Sequence, residues 1–103
     1  MTPGQTAAAL LERIDSERMV SAGPDGVTYD HPGAEAVLCI TGALDLIGAD
    51  DGAAMLVLDA VAWALDATPL GAPAGSLHTE FDRRVRTLTR GRCGRNALRV
   101  VER

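Results

Sequence analysis

Arg83, Arg86 and Arg90 recur at intervals of three and then four residues, the spacing that gathers side chains on one side of an α-helix. A guanidinium fork can hold a carboxylate or a phosphate through two parallel hydrogen bonds, so such a row is suited to an acidic partner. Arg92, Arg95 and Arg99 follow and extend the basic segment. A helix, a glycine-containing turn and room for a second helix also outline a helix-turn-helix, which keeps nucleic-acid binding open beside protein binding. The plainer alternative is a helix face bathed in water.

Other residue types are less promising. Asp59 and Asp66 are seven residues apart, on one helical side and roughly 10 Å apart along the axis. Two carboxylates could serve as acid and base, but no histidine or arginine is fixed beside them by spacing. They are expected to form a solvent stripe or to pair with arginine. His31 and His78 lack metal-ligand spacing, and Asp50-Asp51-Gly52 lacks the remaining oxygen ligands of a calcium loop. The chain contains no lysine, which excludes Schiff-base catalysis, a lysine general base and a lysine-type phosphate loop. No Gly-x-Ser-x-Gly elbow occurs. Cys39 sits in an apolar run and reads as a buried thiol, whereas Cys93, flanked by Arg92, Gly94 and Arg95, would be a reactive thiol if exposed. No catalytic residue, metal site or cofactor is therefore expected. The predicted partner or phosphate contacts are Arg83, Arg86, Arg90, Arg92 and Arg95.

These residues must be positioned by a small set of elements. Thr2-Pro3-Gly4-Gln5 reads as a capping box, and Ala7, Leu10, Leu11 and Ile14 predict a helix running to about Arg18. Ser21 to Gly33 contains Gly23-Pro24-Asp25-Gly26 and His31-Pro32-Gly33 and reads as a loop. Within it, Val27 to Tyr29 could pair with Met19 to Ser21 as a short hairpin. Glu35 to Ile47 is apolar on both sides and predicts a deeply buried helix, although Val37 to Thr41 is also strand-like. Asp50 or Asp51 should cap a central helix that reaches about Ala67 and is surrounded by the others, with Asp59 and Asp66 as its only acidic stripe. Thr68 to Gly75 reads as a linker. Ser76 or Thr79 should cap a helix ending at Arg90, with Gly91 just past it and Leu77, Phe81, Val85 and Leu88 buried. Cys93 to Arg103 is open between a last short helix and an added strand.

A chain of 103 residues predicts a single domain with one core. Its net charge of −4 is uneven, for residues 1–79 carry eleven acidic side chains against two arginines and residues 80–103 carry three against eight. The two parts thus hold −9 and +5, enough to steer an acidic partner to the C-terminal segment or to pair the two parts of one fold. The longest apolar stretch falls short of a bilayer span, so no membrane association is expected. Two cysteines without a scaffold or zinc pattern point to a cytoplasmic setting.

The segment Cys39-Ile40-Thr41-Gly42-Ala43-Leu44, with an apolar helix behind it and another near Thr79 to Leu88, resembles an uncharacterised family of small helical bacterial and phage proteins with a Cys-x-x-Gly-Ala-Leu core. That resemblance implies a small helical accessory protein and assigns no activity. Gly48-Ala49-Asp50-Asp51-Gly52 also looks somewhat like an acyl carrier protein, but Gly52 stands where the attachment serine would be. The predicted fold is all-α, a compact bundle of four or five helices around a buried central helix, with a small β-hairpin near residues 19–33. The predicted function is a noncatalytic interaction or accessory module whose partner is another protein or a second copy. The alternative is a nucleic-acid binder using the arginine-rich C-terminal segment, and a third reading is a small enzyme or redox protein using Cys93 or the carboxylates.

Overall fold

The computed structural model describes residues 2–93, and the segment expected to form a last helix or strand lies outside the described residues. Most of the described chain is helical, in four helices with one two-stranded hairpin. Helix α1 spans Pro3–Glu17, and its start follows the predicted capping box. The Gln5 amide donates to the Thr2 hydroxyl at 3.2 Å while the Thr2 amide donates to the Gln5 side chain at 3.0 Å. Ala7, Leu10 and Ile14 form its buried side.

Strands β1 (Met19–Gly23) and β2 (Gly26–Tyr29) pair antiparallel, with Met19 opposite Tyr29 and Ser21 opposite Thr28. The turn needs glycine at Gly26, whose φ of +123° is closed to other side chains. A lone ribbon of this size is marginal. Its base is held by the Tyr29 hydroxyl, which donates to Asp15 at 2.6 Å, and by the Asp30 amide, which donates to the Arg18 carbonyl at 3.0 Å.

Helix α2 spans His31–Leu46, so His31-Pro32-Gly33 is its first turn and not the end of a loop. Asp30 accounts for the earlier start, since its carboxylate accepts the Gly33 amide at 2.8 Å and Pro32 has no amide to satisfy. Burial of α2 is also one-sided: Pro32, Gly33, Ala36, Ile40 and Ala43 face the core, while Leu38 is 73% exposed on the other side. Apolar residues on both sides did not enclose this helix. The strand-like run Val37 to Thr41 is helical throughout.

Helix α3 spans Asp51–Ala67 with Asp50 as its cap, the Ala53 amide donating to that carboxylate at 3.0 Å. Ala54, Leu58, Ala60, Val61, Ala64 and Leu65 are buried, the leucines and Val61 filling the core between the small alanines. Asp59, Trp63 and Asp66 remain exposed, so α3 is open to solvent along one stripe. Helix α4 spans Ser76–Cys93 and continues through Gly91 where a stop was expected. A glycine inside a helix costs only about 1 kcal/mol, too little by itself to end a helix. Its start is capped by neither Ser76 nor Thr79. The Glu35 carboxylate of α2 does this, accepting the Gly75 amide and, at 2.9 Å, the His78 amide. Ile14, Ile40, Leu58, Val61, Leu65 and Leu77 lie at the centre of the shared core.

The end of α1 carries an interaction that helical periodicity does not suggest. Arg18 is only 5% exposed, and its guanidinium donates to the carbonyls of Leu65 at 3.1 Å, Pro69 at 3.3 Å and Thr68. These are carbonyls at the negative end of the α3 dipole, where a cation is stabilising. Arg18 also pairs with Asp30 at 3.4 Å, and Asp30 in turn accepts the Gly71 amide at 3.1 Å. One ion pair thus joins α1, the start of α2, the end of α3 and the connection to α4. Burial alone would raise the Asp30 pKa, but the amides of Gly71 and Gly33 and the charge of Arg18 outweigh it and hold the carboxyl below its ordinary 3.8. A carboxyl depressed on folding stabilises fully above its unfolded pKa, and that contribution is lost as pH falls through the folded value. The urea midpoint should therefore fall as pH drops below about 4, and Asp30→Asn should reduce that fall. An unchanged fall in the variant would show that it comes from other carboxylates.

Candidate functional site

The α4 helix places Leu77 in the core, with Phe81, Val85 and Leu88 partly buried on the same side. Arg83, Arg86 and Arg90 lie opposite, all exposed, and line an open hollow of about 400 Å³ together with Thr79, Asp82 and Thr87. Three of the five arginines singled out from the sequence are thus brought together. The side chain of Arg92, and Arg95 altogether, lie outside the described residues, as does the thiol of Cys93.

The row is not uniformly charged. Arg83 donates to Glu80 at 2.7 Å, and Asp82 lies 3.6 Å from His78 one turn earlier. Among the described residues Arg86 and Arg90 form no ion pair, so the uncompensated positive charge is toward the C-terminal end of the row.

Arg84, absent from the predicted contacts, has a different role. Its Nε lies 3.4 Å from Asp59, and its guanidinium carbon lies 4.6 Å from the centre of the Trp63 ring. This is a cation–π contact that spans α3 and α4. The signal in the sequence was helical phase: Arg84 falls three residues after Phe81 and four before Leu88, on the flank of the buried side, whereas its neighbour Arg83 points away. Asp66 is bound by Arg13, which also holds Glu17 at 3.1 Å. Burial would lower the pKa of Arg13, but these two carboxylates raise it. Both aspartates of the α3 stripe are therefore arginine-paired, and no acid and base pair is assembled.

Cys39 is half-buried beside an open, mostly apolar hollow of about 570 Å³ lined by Glu35, Leu38, Ala74, Gly75 and His78. Burial first, and then the charges of Glu35 and Asp82, push its thiol above the ordinary 9.0, which keeps it protonated and a poor nucleophile. No group of three metal-ligating side chains occurs among the described residues.

No family model, curated protein or solved structure matches this chain. The Cys-x-x-Gly-Ala-Leu segment therefore stands as part of α2, where Ile40 and Ala43 are buried and Cys39 is half-buried, and it carries no assignment. Among the described residues no helix is long and apolar enough to cross a membrane. What function can be read must come from the two exposed helical faces: the arginine row of α4 and the Asp59, Trp63, Asp66 stripe of α3.

Proposed function

We propose that this chain is a noncatalytic interaction module, working in the cytoplasm, that binds an acidic surface of a protein partner through Arg83, Arg86 and Arg90 of α4. The observation that supports it is the exposure of all three guanidiniums on one side of one helix, opposite the side that packs in the core. Arg92 and Arg95 would lengthen the same contact. In this reading the bundle is organised around α3, and α4 is the element that meets the partner.

The charge distribution favours a protein over a nucleic acid. Residues 1–79 carry −9, which repels a polyanion longer than the arginine row. Glu80 and Asp82 interrupt the basic surface, a pattern that suits a partner with a few spaced carboxylates better than a continuous phosphate backbone.

The test is recovery of tagged protein from its own host, with and without nuclease, beside the triple variant Arg83→Glu, Arg86→Glu, Arg90→Glu. A protein held at fixed stoichiometry after nuclease, and lost from the variant while its circular dichroism stays native, is the expected result. Nuclease-sensitive recovery with strong nucleic-acid absorbance would replace it with the nucleic-acid reading. Unfolding of the variant would show the row to be structural.

A further inference from the structure

We propose that the acidic surface met by the arginine row is the α3 stripe of a second copy of this chain, with Asp59 against Arg90, Trp63 against Arg86 and Asp66 against Arg83. This inference rests on the reading above and names its partner.

The match lies in spacing as well as charge. Asp59, Trp63 and Asp66 are separated by four and then three residues, and Arg90, Arg86 and Arg83, read backwards along α4, are separated by four and then three. On helices rising about 1.5 Å per residue, both sets span roughly 10.5 Å on one face, the seam spacing used when two helices pack side by side. An antiparallel approach of α4 from one copy onto α3 of another therefore brings all three pairs into register together. A parallel approach could still match the two end charges, but it would set Trp63 opposite Thr87 and leave Arg86 without the ring.

The α3 stripe is exposed to this contact, although each of its carboxylates already holds one arginine. Asp59 and Asp66 have side chains 52% and 71% exposed, whereas their own arginines, Arg84 and Arg13, are 27% and 30% exposed, so the carboxylates form the outer layer. Each carboxylate accepts one hydrogen bond from its arginine and has room for more. Trp63 is the only tryptophan and is 46% exposed, in contact with Arg84 at 4.6 Å. A second guanidinium, Arg86, would use the same quadrupole attraction, and Trp and Arg are the side chains most enriched where interfaces carry their binding energy. Shallow apolar hollows beside Met55, Leu56 and Leu88, and beside Trp63 and Ala67, lie on this side of α3 and supply surface that a neighbouring helix would dry.

Sedimentation velocity of the purified full chain, with Trp63 fluorescence as a second readout, tests the register. Wild type should form dimers or larger species at low ionic strength, dissociate in about 0.5 M salt as the screening length shrinks to a few ångströms, and shift its Trp63 emission on association. Asp66→Arg and Arg83→Asp should each weaken association about tenfold. Combining them in one chain should restore it, because the swapped charges face each other again. Restoration by Arg90→Asp in place of Arg83→Asp would overturn the antiparallel register, and a wild type that stays monomeric at every concentration and salt would overturn self-recognition itself. In that second case, capture of a different acidic protein that is lost in the arginine triple variant would still uphold the proposed function.

Discussion

Arg18→Ala should lower the unfolding free energy by about 3 to 5 kcal/mol, the range for removing one member of a buried ion pair. The change leaves the Asp30 carboxylate without its cation and strips the donors from the carbonyls of Leu65, Thr68 and Pro69 at once. The pair is not ideally satisfied, for among the described residues Arg18 Nε and the Thr68 hydroxyl are buried without a hydrogen-bond partner, so its worth lies in joining four segments more than in its own electrostatics. Two further results should follow. Arg18→Met with Asp30→Asn should cost less than the sum of the single changes, because neither charge is then stranded. Gly33→Ala should act on the same junction, since an added Cβ would stand 2.7 Å from the Arg18 Cβ and 2.9 Å from an Asp30 carboxylate oxygen. Urea titration followed by circular dichroism measures each. A loss for Arg18→Ala near that of an exposed ion pair, under about 1 kcal/mol, would mean that the guanidinium is solvated in solution.

The junction shows why some of this fold was legible and some was not. Local signals translated directly: Thr2 with Gln5 began α1, Asp50 began α3, and the glycine-rich Gly23 to Gly26 turn closed the hairpin. Each needs only residues within a turn of one another. The errors came where a distant residue did the work. Glu35 caps α4 from across the fold, so Ser76 and Thr79 were natural but wrong choices from local sequence. Arg18 looked like the last residue of an amphipathic helix because its partners are about fifty residues away. The apolar opposite side of α2 suggested enclosure, yet four helices and a hairpin leave nothing among the described residues to cover Leu38. The candidate site followed the same division. Helical phase alone placed Arg83, Arg86 and Arg90 on one exposed side, while the pairing of Asp59 with Arg84 and of Asp66 with Arg13 required knowing which helices are neighbours.

Leu58→Ala should cost about 2 to 5 kcal/mol, because it removes three carbons from a fully buried position in the core that α3 shares with α1, α2 and α4. Leu38→Ala removes the same atoms from a side chain left largely in water and should change stability by less than about 0.5 kcal/mol. The contrast separates packing from composition, since both leucines sit in apolar stretches of sequence that look equally suited to burial. It also separates the core from the proposed interface. Leu58 precedes Asp59 on α3 but is buried where Asp59 is exposed, so a cavity there weakens the fold without altering the charges or the ring that would meet a second copy. Below its own unfolding transition, Leu58→Ala should therefore associate as wild type does, whereas Asp66→Arg should weaken association about tenfold and, losing only the exposed pair with Arg13, keep most of its stability. If the cavity variant lost association while still folded, the Asp59, Trp63, Asp66 spacing would depend on how tightly α3 is packed beneath it, and the interface could not be treated as a property of that surface alone.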